Sequence, residues 1–226
     1  MSMEFNWHKE VEKRWDGNVQ FWSDKSKDMW ENGSRSSIVP FFEKHVEAGS
    51  RVADVGCGDG YGSYKLNQAG FSVIGVDISP KMVEYANQQA QEGLQFQVGD
   101  LSSLPFEDHS FDGLIAINSM EWTETPLLAL QEMRRVLKPG GHLCVGLLGP
   151  TAGPRQNSYN RLYGESVICN TMMPWELEQL AAENGFRIKD GEPVYKEGVT
   201  TAHTEALARP LQQALTFMWL SMLVKQ

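Results

Sequence analysis

The sequence of 226 residues is 41% hydrophobic and 22% charged, which suits one folded α/β domain and not a disordered chain. Its formal net charge of −9 argues against a nucleic-acid partner, since nucleic-acid binders usually carry a basic surface. The three cysteines are scattered, with no zinc-ligand spacing, and this favours a reduced cytoplasmic protein without a bound metal.

Neither end of the sequence has the character of a membrane segment. Residues 1–15 lack the apolar core of a signal peptide. The most apolar stretch, 211–224, is interrupted by polar residues and is too short to span a bilayer. We therefore expect a soluble protein with no membrane partner, while the oligomeric state stays open.

Residues 1–48 look helical and hold four of the seven tryptophans. The run Asp16-Gly17-Asn18 is a helix-breaking signal, so two short helices are predicted there. The indoles recur every seven or eight residues, a spacing that would put them on one helical face; they are Trp7, Trp15, Trp22 and Trp30. We expect this segment to form a helical cap over a cofactor and substrate pocket. The alternative is that it only covers one flank of a sheet.

From residue 51 onward, short apolar runs alternate with amphipathic stretches. Buried strands are predicted at 51–55, 72–76, 94–98, 111–117 and 142–148. Helices are predicted between them, at 62–68, 79–91 and 126–137. Ser79 followed by Pro80 marks the start of the second helix. This alternation is typical of a doubly wound parallel sheet with helices on both faces.

The rhythm breaks after the fifth strand. Residues 149–173 carry glycines, prolines and tyrosines and are interpreted as an irregular insertion. A helix is predicted at 174–185 and a strand at 186–197, while 217–225 fits a strand or a helix by pattern alone. We treat 1–226 as one domain; its three parts are the cap at 1–48, a cofactor-binding core at 49–148, and the insertion with the C-terminal half of the sheet at 149–226.

The strongest functional signal is VADVGCGDGYG, residues 52–62, in which a strand leads through a glycine-rich turn into a helix. Gly56, Gly58 and Gly60 allow a ligand to come close to the backbone, and open α/β sheets bind ligands at the carboxyl ends of their strands. A dinucleotide site would want a further glycine where this sequence has Tyr61. By itself the loop also fits a simple tight turn.

Two acids follow the ends of the next two predicted strands. Asp77 lies about 20 residues after the glycine loop, where an acid accepts hydrogen bonds from ribose hydroxyls. We expect its removal to spare folding, because it ends a strand. Asp100 is placed to accept from an adenine amino group. Each also has a structural interpretation, Asp77 as a helix N-terminal acid and Asp100 as a turn aspartate, but together with Asp54 they face one crevice.

Four stretches carry a family resemblance between residues 51 and 147: VADVGCGDG, VIGVDIS, VGDLSSLPFEDHSFDGLIAI and MRRVLKPGGHLCVG. In this order and spacing, the sequence resembles the class I S-adenosylmethionine-dependent methyltransferases, in particular the group that acts on small molecules and includes quinone-biosynthesis enzymes. The resemblance implies a seven-stranded, mostly parallel, Rossmann-like sheet whose antiparallel last strand is 217–225. It also implies S-adenosylmethionine as methyl donor and a small molecule as acceptor.

The resemblance assigns roles to residues of the three strand ends. Asp54 and Gly56 would contact the methionine part of the cofactor, with Gly58 close by. Asp77 would hold the ribose hydroxyls, and Asp100 would bind the adenine amino group.

Further contacts are implied around these. Ile78 would pack on the adenine face, with the Leu101 backbone nearby, and Asn118 would present its backbone to the cofactor amine. Arg35 is the best-placed match for the arginine that pairs with the methionine carboxylate in related enzymes; a solvated arginine at a helix start is an equal alternative. No general base is identified: Glu121 is a weak candidate, and a surface or supporting acid is the stronger interpretation.

Other functions remain open from the sequence. An NAD-linked dehydrogenase uses a related sheet, but Tyr61 stands against it. A protein or RNA methyltransferase would keep the same cofactor site, and the acidic charge disfavours only the RNA. A cofactor-binding protein without catalysis also fits, because no base is identified.

Overall fold

The structure, a computed structural model, describes residues 5–226. The helices of this part of the chain are α1 Trp7–Asp16, α2 Val19–Glu31, α3 Ile38–Glu43, α4 Tyr61–Gln68, α5 Pro80–Ala86, α6 Pro126–Val136, α7 Pro174–Glu183, α8 Thr201–Thr204 and α9 Arg209–Ala214. The strands are β1 Arg51–Val55, β2 Ser72–Asp77, β3 Leu94–Val98, β4 Phe111–Ile117, β5 Leu137–Leu148, β6 Phe186–Tyr195 and β7 Thr216–Lys225. Short 3-10 helices lie at Asn87–Gln89, Met120–Trp122 and Gly153–Tyr163.

All seven strands join one sheet in the order β3-β2-β1-β4-β5-β7-β6. Strands β1 to β5 pair in parallel, and β7 runs antiparallel to both β5 and β6. The predicted seven-stranded sheet is confirmed, including β7, which the pattern alone left undecided. Chain order reverses between β1 and β4, and the carboxyl ends of these strands form the switch point at which open α/β sheets bind ligands.

Two apolar layers hold the sheet between helices. One face packs against α6 and α7, with Leu114, Met133 and Leu177 fully buried between them. The other face packs against α3 and α4, where Phe42 and Leu66 are fully buried. The doubly wound arrangement follows from strands that are apolar on both sides.

Some predicted boundaries differ from the structure. Helix α5 begins at the predicted cap, where the Ser79 hydroxyl accepts from the Met82 N–H at 3.1 Å. It ends at Ala86 and continues only as a 3-10 helix, so the prediction to residue 91 is too long. Strand β5 starts at Leu137, earlier than predicted, because Leu137 pairs with Phe111 before a register shift.

Arg155 is one of the residues that hold the segment after β5 in place. Arg155 donates to the backbone carbonyls of Leu148, Gly149 and Met172, which ties the insertion to the end of β5. The connection between β6 and β7 contains α8 and α9, which explains its length. Within residues 5–226 no helix combines the length and apolar character needed to cross a membrane.

The tryptophan-rich segment is divided at Gly17, as predicted. The Gly17 N–H closes α1 by bonding to the Lys13 carbonyl at 3.2 Å, and α2 starts two residues later. Trp30 is 5% exposed and packs in the hydrophobic core with residues of α3 and α4, a position that the prediction of one tryptophan face did not include. A Cβ on Gly62 of α4 would lie 2.3 Å from its ring, so that glycine makes room for the indole.

Candidate functional site

A cavity of about 560 Å³ lies between the carboxyl ends of the strands and the N-terminal helices, within the range of small-ligand sites. One wall, here called the sheet wall, is formed by the ends of strands β1 to β4 and the loops after them. Its members include Gly56, Gly58, Asp59, Asp77, Ile78, Asp100, Leu101, Asn118 and Trp122. The cap wall comes from α1, α2 and the turn after them; its members include Trp7, His8, Arg14, Trp15, Phe21, Trp22, Lys25 and Arg35. Helices α1 and α2 of the predicted cap therefore lie over the strand ends, whereas α3 packs into the core.

The glycine loop after β1 serves packing and ligand access at different positions. Gly56 and Gly60 have φ of +83° and +82°, a region that favours glycine. A Cβ at Gly56 would lie 2.4 Å from the Ser119 Cβ, and one at Gly60 would lie 2.7 Å from the Ala86 Cβ. Gly58 differs, since a Cβ there would meet nothing within 4 Å. Its missing side chain leaves open space on the cavity wall.

Asp77 is both a wall residue and a structural tie. Its Oδ2 accepts from the Gly58 N–H and its Oδ1 from the Ser79 N–H, each at 2.9 Å. Burial raises its pKa, and these two backbone hydrogen bonds lower it. The side chain thus joins the end of β2 to the glycine loop and to α5. The expectation that its removal would spare folding is therefore not supported, although each oxygen keeps a further lone pair for a ligand.

Asp100 connects the two walls. Its Oδ1 accepts from the Ser102 N–H at 2.7 Å, which is the turn role considered for it. Its Oδ2 lies 2.9 Å from Nδ1 of His8 on α1, a contact that nothing in the sequence indicated. Ile78 and Leu101 line the cavity beside it, as the resemblance implied.

Arg35 lies in the cavity wall and not on a solvated helix start. Its guanidinium is 5.0 Å from the Trp22 ring centroid and 5.7 Å from that of Trp30. It makes no hydrogen bond or salt bridge with any side chain or carbonyl of residues 5–226. Burial lowers its pKa, while the nearby Asp59 and Asp54 raise it. A half-buried cation without a hydrogen-bonded side-chain partner favours an anionic ligand group.

Asp54 does not reach the cavity, contrary to the role implied for it. It is 3% exposed and accepts from the Ser63 hydroxyl of α4 at 2.7 Å. Its pKa is raised to about 7, chiefly by burial and in spite of the opposing effects of the Ser63 hydrogen bond and Arg35. The acid of this loop that does line the cavity is Asp59, whose carboxylate accepts from the Ser26 hydroxyl of α2 at 2.9 Å. Asp59 stands inside the glycine motif, and its position there is the signal that sequence reasoning passed over.

The turn after β4 separates Asn118 from Glu121. Asn118 lines the cavity with φ of +52°, and its N–H donates to the Gly146 carbonyl at 2.8 Å. Glu121 is fully buried and outside the cavity lining. Its Oε1 accepts from the Leu148 N–H at 2.8 Å, while its Oε2 has no hydrogen-bond partner among residues 5–226. Burial raises its pKa. The structure thus gives Glu121 a supporting position and does not bring it to a substrate.

An aromatic surface completes the cavity. The rings of Trp15 and Trp122 meet edge to face at 4.9 Å, and those of Trp15 and Trp22 lie 6.1 Å apart. The Trp7 Nε1–H donates to the Trp122 carbonyl at 2.8 Å. Trp122, in the turn after β4, was missed as a site residue because its ring partners come from a distant part of the sequence.

The chain matches known methyltransferases in sequence and in structure. Residues 53–145 match the family described as a methyltransferase domain. The chain is 31% identical to the 27-O-demethylrifamycin SV methyltransferase of Amycolatopsis mediterranei, over 81% of this chain and 72% of that protein. It is 33% identical to the biotin biosynthesis bifunctional protein BioHC of Teredinibacter turnerae, over 60% of this chain. The crystal structure of an S-adenosylmethionine-dependent methyltransferase from Mesorhizobium loti has the same fold, with a TM-score of 0.67 and 19% identity over 86% of this chain and 99% of that one.

The chain spans 26%, 40% and 56% of the length of three curated relatives that it matches, the first of which is BioHC. It belongs to the class I S-adenosylmethionine-dependent methyltransferases, a family of enzymes whose methyl donor is S-adenosylmethionine. The family resemblance drawn from the four sequence stretches is thereby confirmed.

Proposed function

We propose that this methyltransferase transfers the methyl group of S-adenosylmethionine to a small organic molecule held under the cap. The observation that carries the proposal is the cavity itself. The cap covers the strand ends and leaves a space of about 560 Å³, which suits a small ligand better than a polymer. The relative named for demethylrifamycin SV, which matches most of this chain, is in accord with such an acceptor.

The residues of the sheet wall fit the cofactor. Gly58 leaves open space for close backbone approach. Asp77 and Asp100 lie at the ends of neighbouring strands, where they would accept from the ribose hydroxyls and the adenine amino group. Arg35 has no bonded protein partner, and it would pair with the methionine carboxylate. Ile78 would pack on the adenine face.

The contribution of the chain to the reaction is placement and exclusion of water. When bound, S-adenosylmethionine supplies a methyl group that is already electrophilic on its sulfonium. The walls must hold the acceptor atom in line with that methyl group and keep water out, a task for which Trp15, Trp22 and Trp122 provide the apolar surface. A general base is needed only when the acceptor arrives protonated, and Glu121 lies outside the cavity.

Transfer of isotope-labelled methyl groups tests the proposal. The protein is incubated with labelled S-adenosylmethionine and a cell extract, and the products are divided by ultrafiltration into small molecules and macromolecules. We expect label in the small-molecule fraction, and at least about tenfold less with Asp77→Asn at limiting cofactor concentration. Label confined to protein or RNA would contradict the small-molecule acceptor. No transfer with any fraction, despite cofactor binding, would favour a non-catalytic binding protein.

A further inference from the structure

The cap wall of the cavity is sorted by charge. Helices α1 and α2 contain six acids, namely Glu10, Glu12, Asp16, Asp24, Asp28 and Glu31, and none of them lines the cavity. Arg14 and Lys25 of the same helices do line it, and so does Arg35. The chain as a whole has a net charge of −9. The positive charge of this wall therefore results from which side chains face the cavity, and not from the overall composition.

These cations already lie over the aromatic rings of the cavity. The Arg14 guanidinium is 5.5 Å from the Trp122 ring centroid, and the Lys25 ammonium is 4.5 Å from that of Phe21. A ring face that holds a cation of the protein is not free for a cationic ligand, and a second cation would be repelled by the first. The rings of Trp122 and Phe21 are therefore unsuited to a positively charged acceptor.

The acids of the sheet wall do not offset this preference. Asp59, Asp77 and Asp100 each accept a hydrogen bond within the protein, and the last two are taken up by the cofactor in the proposed function. Glu124 is exposed at the rim, 4.0 Å from the His8 ring. Each of these acids thus has a contact within the protein, and Asp77 and Asp100 keep lone pairs that the cofactor would use.

Two cations remain for an acceptor once Arg35 is assigned to the cofactor carboxylate. Arg14 and Lys25 are both exposed, so they stand at the mouth of the cavity. Arg14 donates one hydrogen bond to Asn157 Oδ1 at 2.5 Å, which fixes the guanidinium and leaves its other donors free for a ligand. The rings of Trp15 and Trp22 line the same cavity, 6.1 Å apart.

We propose that the methyl acceptor is an anionic molecule with a flat apolar body. Arg14 and Lys25 hold its oxyanionic group, a carboxylate or a phosphate, at the mouth, and its body lies against Trp15, Trp22 and Trp122. The inference rests on the proposed function and specifies its substrate class: the charge sorting selects the anion, and the aromatic surface selects the flat body.

Three probes with one ring system and different charge test this proposal. 2-Naphthoate, 2-naphthylmethanol and 2-naphthylmethylamine are titrated calorimetrically into the protein saturated with S-adenosylhomocysteine. We expect the naphthoate to bind about tenfold more tightly than the amine, with the alcohol between them. Arg14→Met and Lys25→Met should each weaken naphthoate binding roughly two- to fivefold, as for exposed ion pairs, and leave the alcohol unchanged. The double variant should lose the preference.

Lys27→Met is the matched control, because Lys27 lies on α2 but does not line the cavity; it should change no affinity. The proposal is overturned when the amine binds as tightly as the naphthoate, when the double variant keeps the preference, or when naphthoate fails to bind up to about 10 mM. Failure of S-adenosylhomocysteine to bind would count against the proposed function instead. The probe comparison on the protein alone, repeated with the double variant, would then still decide the charge preference.

Discussion

The two walls of the cavity are built in different ways. On the sheet wall, the side chains of Asp77 and Asp100 are held by backbone N–H groups at strand ends, so their positions follow from the fold. On the cap wall, the contacts are mainly between rings, edge to face or tilted, and between cations and rings. They involve Arg14, Trp15 and Trp22. The sheet wall thus couples ligand binding to folding stability, whereas the cap wall can change with little effect on the sheet.

The difference also appears in how the walls meet. His8 reaches Asp100, Ser26 reaches Asp59, and the Trp7 indole reaches the Trp122 carbonyl. Each of these contacts uses a side chain of the cap and a residue at the end of a strand or in the following turn. The cap is also tied to α4 and α5, through Glu31 to Tyr61 and through Asp16 to Ser79. Because most of these contacts are partly exposed, we expect the cap to loosen before the sheet does.

Among single substitutions, the largest expected effect is that of Asp77→Asn. An amide cannot accept from both the Gly58 and Ser79 N–H groups, so the unfolding free energy should fall by about 1–3 kcal/mol. Binding of S-adenosylhomocysteine should weaken by about 1.5–3 kcal/mol, because the charged acceptor for the ribose is lost. Chemical denaturation and calorimetry measure the two effects. An unchanged affinity in a folded variant would show that Asp77 is structural only.

Arg35→Met sharpens the assignment of the cofactor within the cavity. It should weaken S-adenosylhomocysteine binding about tenfold, the effect of one lost charged hydrogen-bonding partner. Binding of 5′-methylthioadenosine, which lacks the amino-acid part, should stay within about twofold, whereas Asp77→Asn should weaken both ligands equally. Equal loss for both ligands with Arg35→Met would place Arg35 away from the carboxylate.

Removing α1 separates a lid from a flank covering. A protein that begins at Asn18 keeps α2 and Trp30, so we expect it to fold. It loses the His8 and Trp7 contacts, and cofactor binding should weaken roughly tenfold as the cavity opens. Full affinity in this truncation would contradict the lid.

A longer deletion, of residues 1–30, behaves differently in this account. It also removes Trp30, whose burial against Gly62 stabilises the core, and losing such a side chain costs about 3–5 kcal/mol. Its folding, followed by circular dichroism, should therefore fail or weaken while the shorter truncation folds. Equal stability of the two truncations would show that Trp30 is not part of the core.

The smallest effect is expected for Glu121→Gln. The amide oxygen still accepts from the Leu148 N–H, and the side chain faces no ligand. Methyl transfer should stay within about threefold of the wild type, and Glu121→Ala should instead lower stability by about 1–3 kcal/mol by leaving that N–H unpaired. Loss of transfer in a stable Glu121→Gln variant that binds the cofactor would restore Glu121 as a general base.

The sheet wall was largely predictable from the sequence because its determinants are local. Glycines with positive φ and acids directly after strands identify themselves by position, as with Gly56 and Asp77. Strand β7 was ambiguous, since a strand buried on both faces shows no alternation, and the family resemblance decided it. Asp54 was misplaced because spacing does not reveal whether a strand-end acid points to the cavity or to α4.

The cap wall could not be read in the same way. The contact between Trp7 and Trp122 joins residues 115 positions apart, and helical periodicity gives no information on such pairs. Periodicity predicted one face for the four indoles. It could not show that the Trp30 ring packs against Gly62 in the core. The sequence left two equal alternatives for Arg35. Only the structure shows that it lies against the Trp22 and Trp30 rings in the cavity wall.

The most direct test of the account is the calorimetric titration of S-adenosylhomocysteine into purified, metal-free wild-type protein. We expect the cavity between the two walls to bind one molecule of S-adenosylhomocysteine at micromolar concentrations, with a free energy on the order of −8 kcal/mol. The bound ligand should also raise the unfolding temperature. An absence of both heat and thermal shift would contradict the assignment of this cavity as the cofactor site.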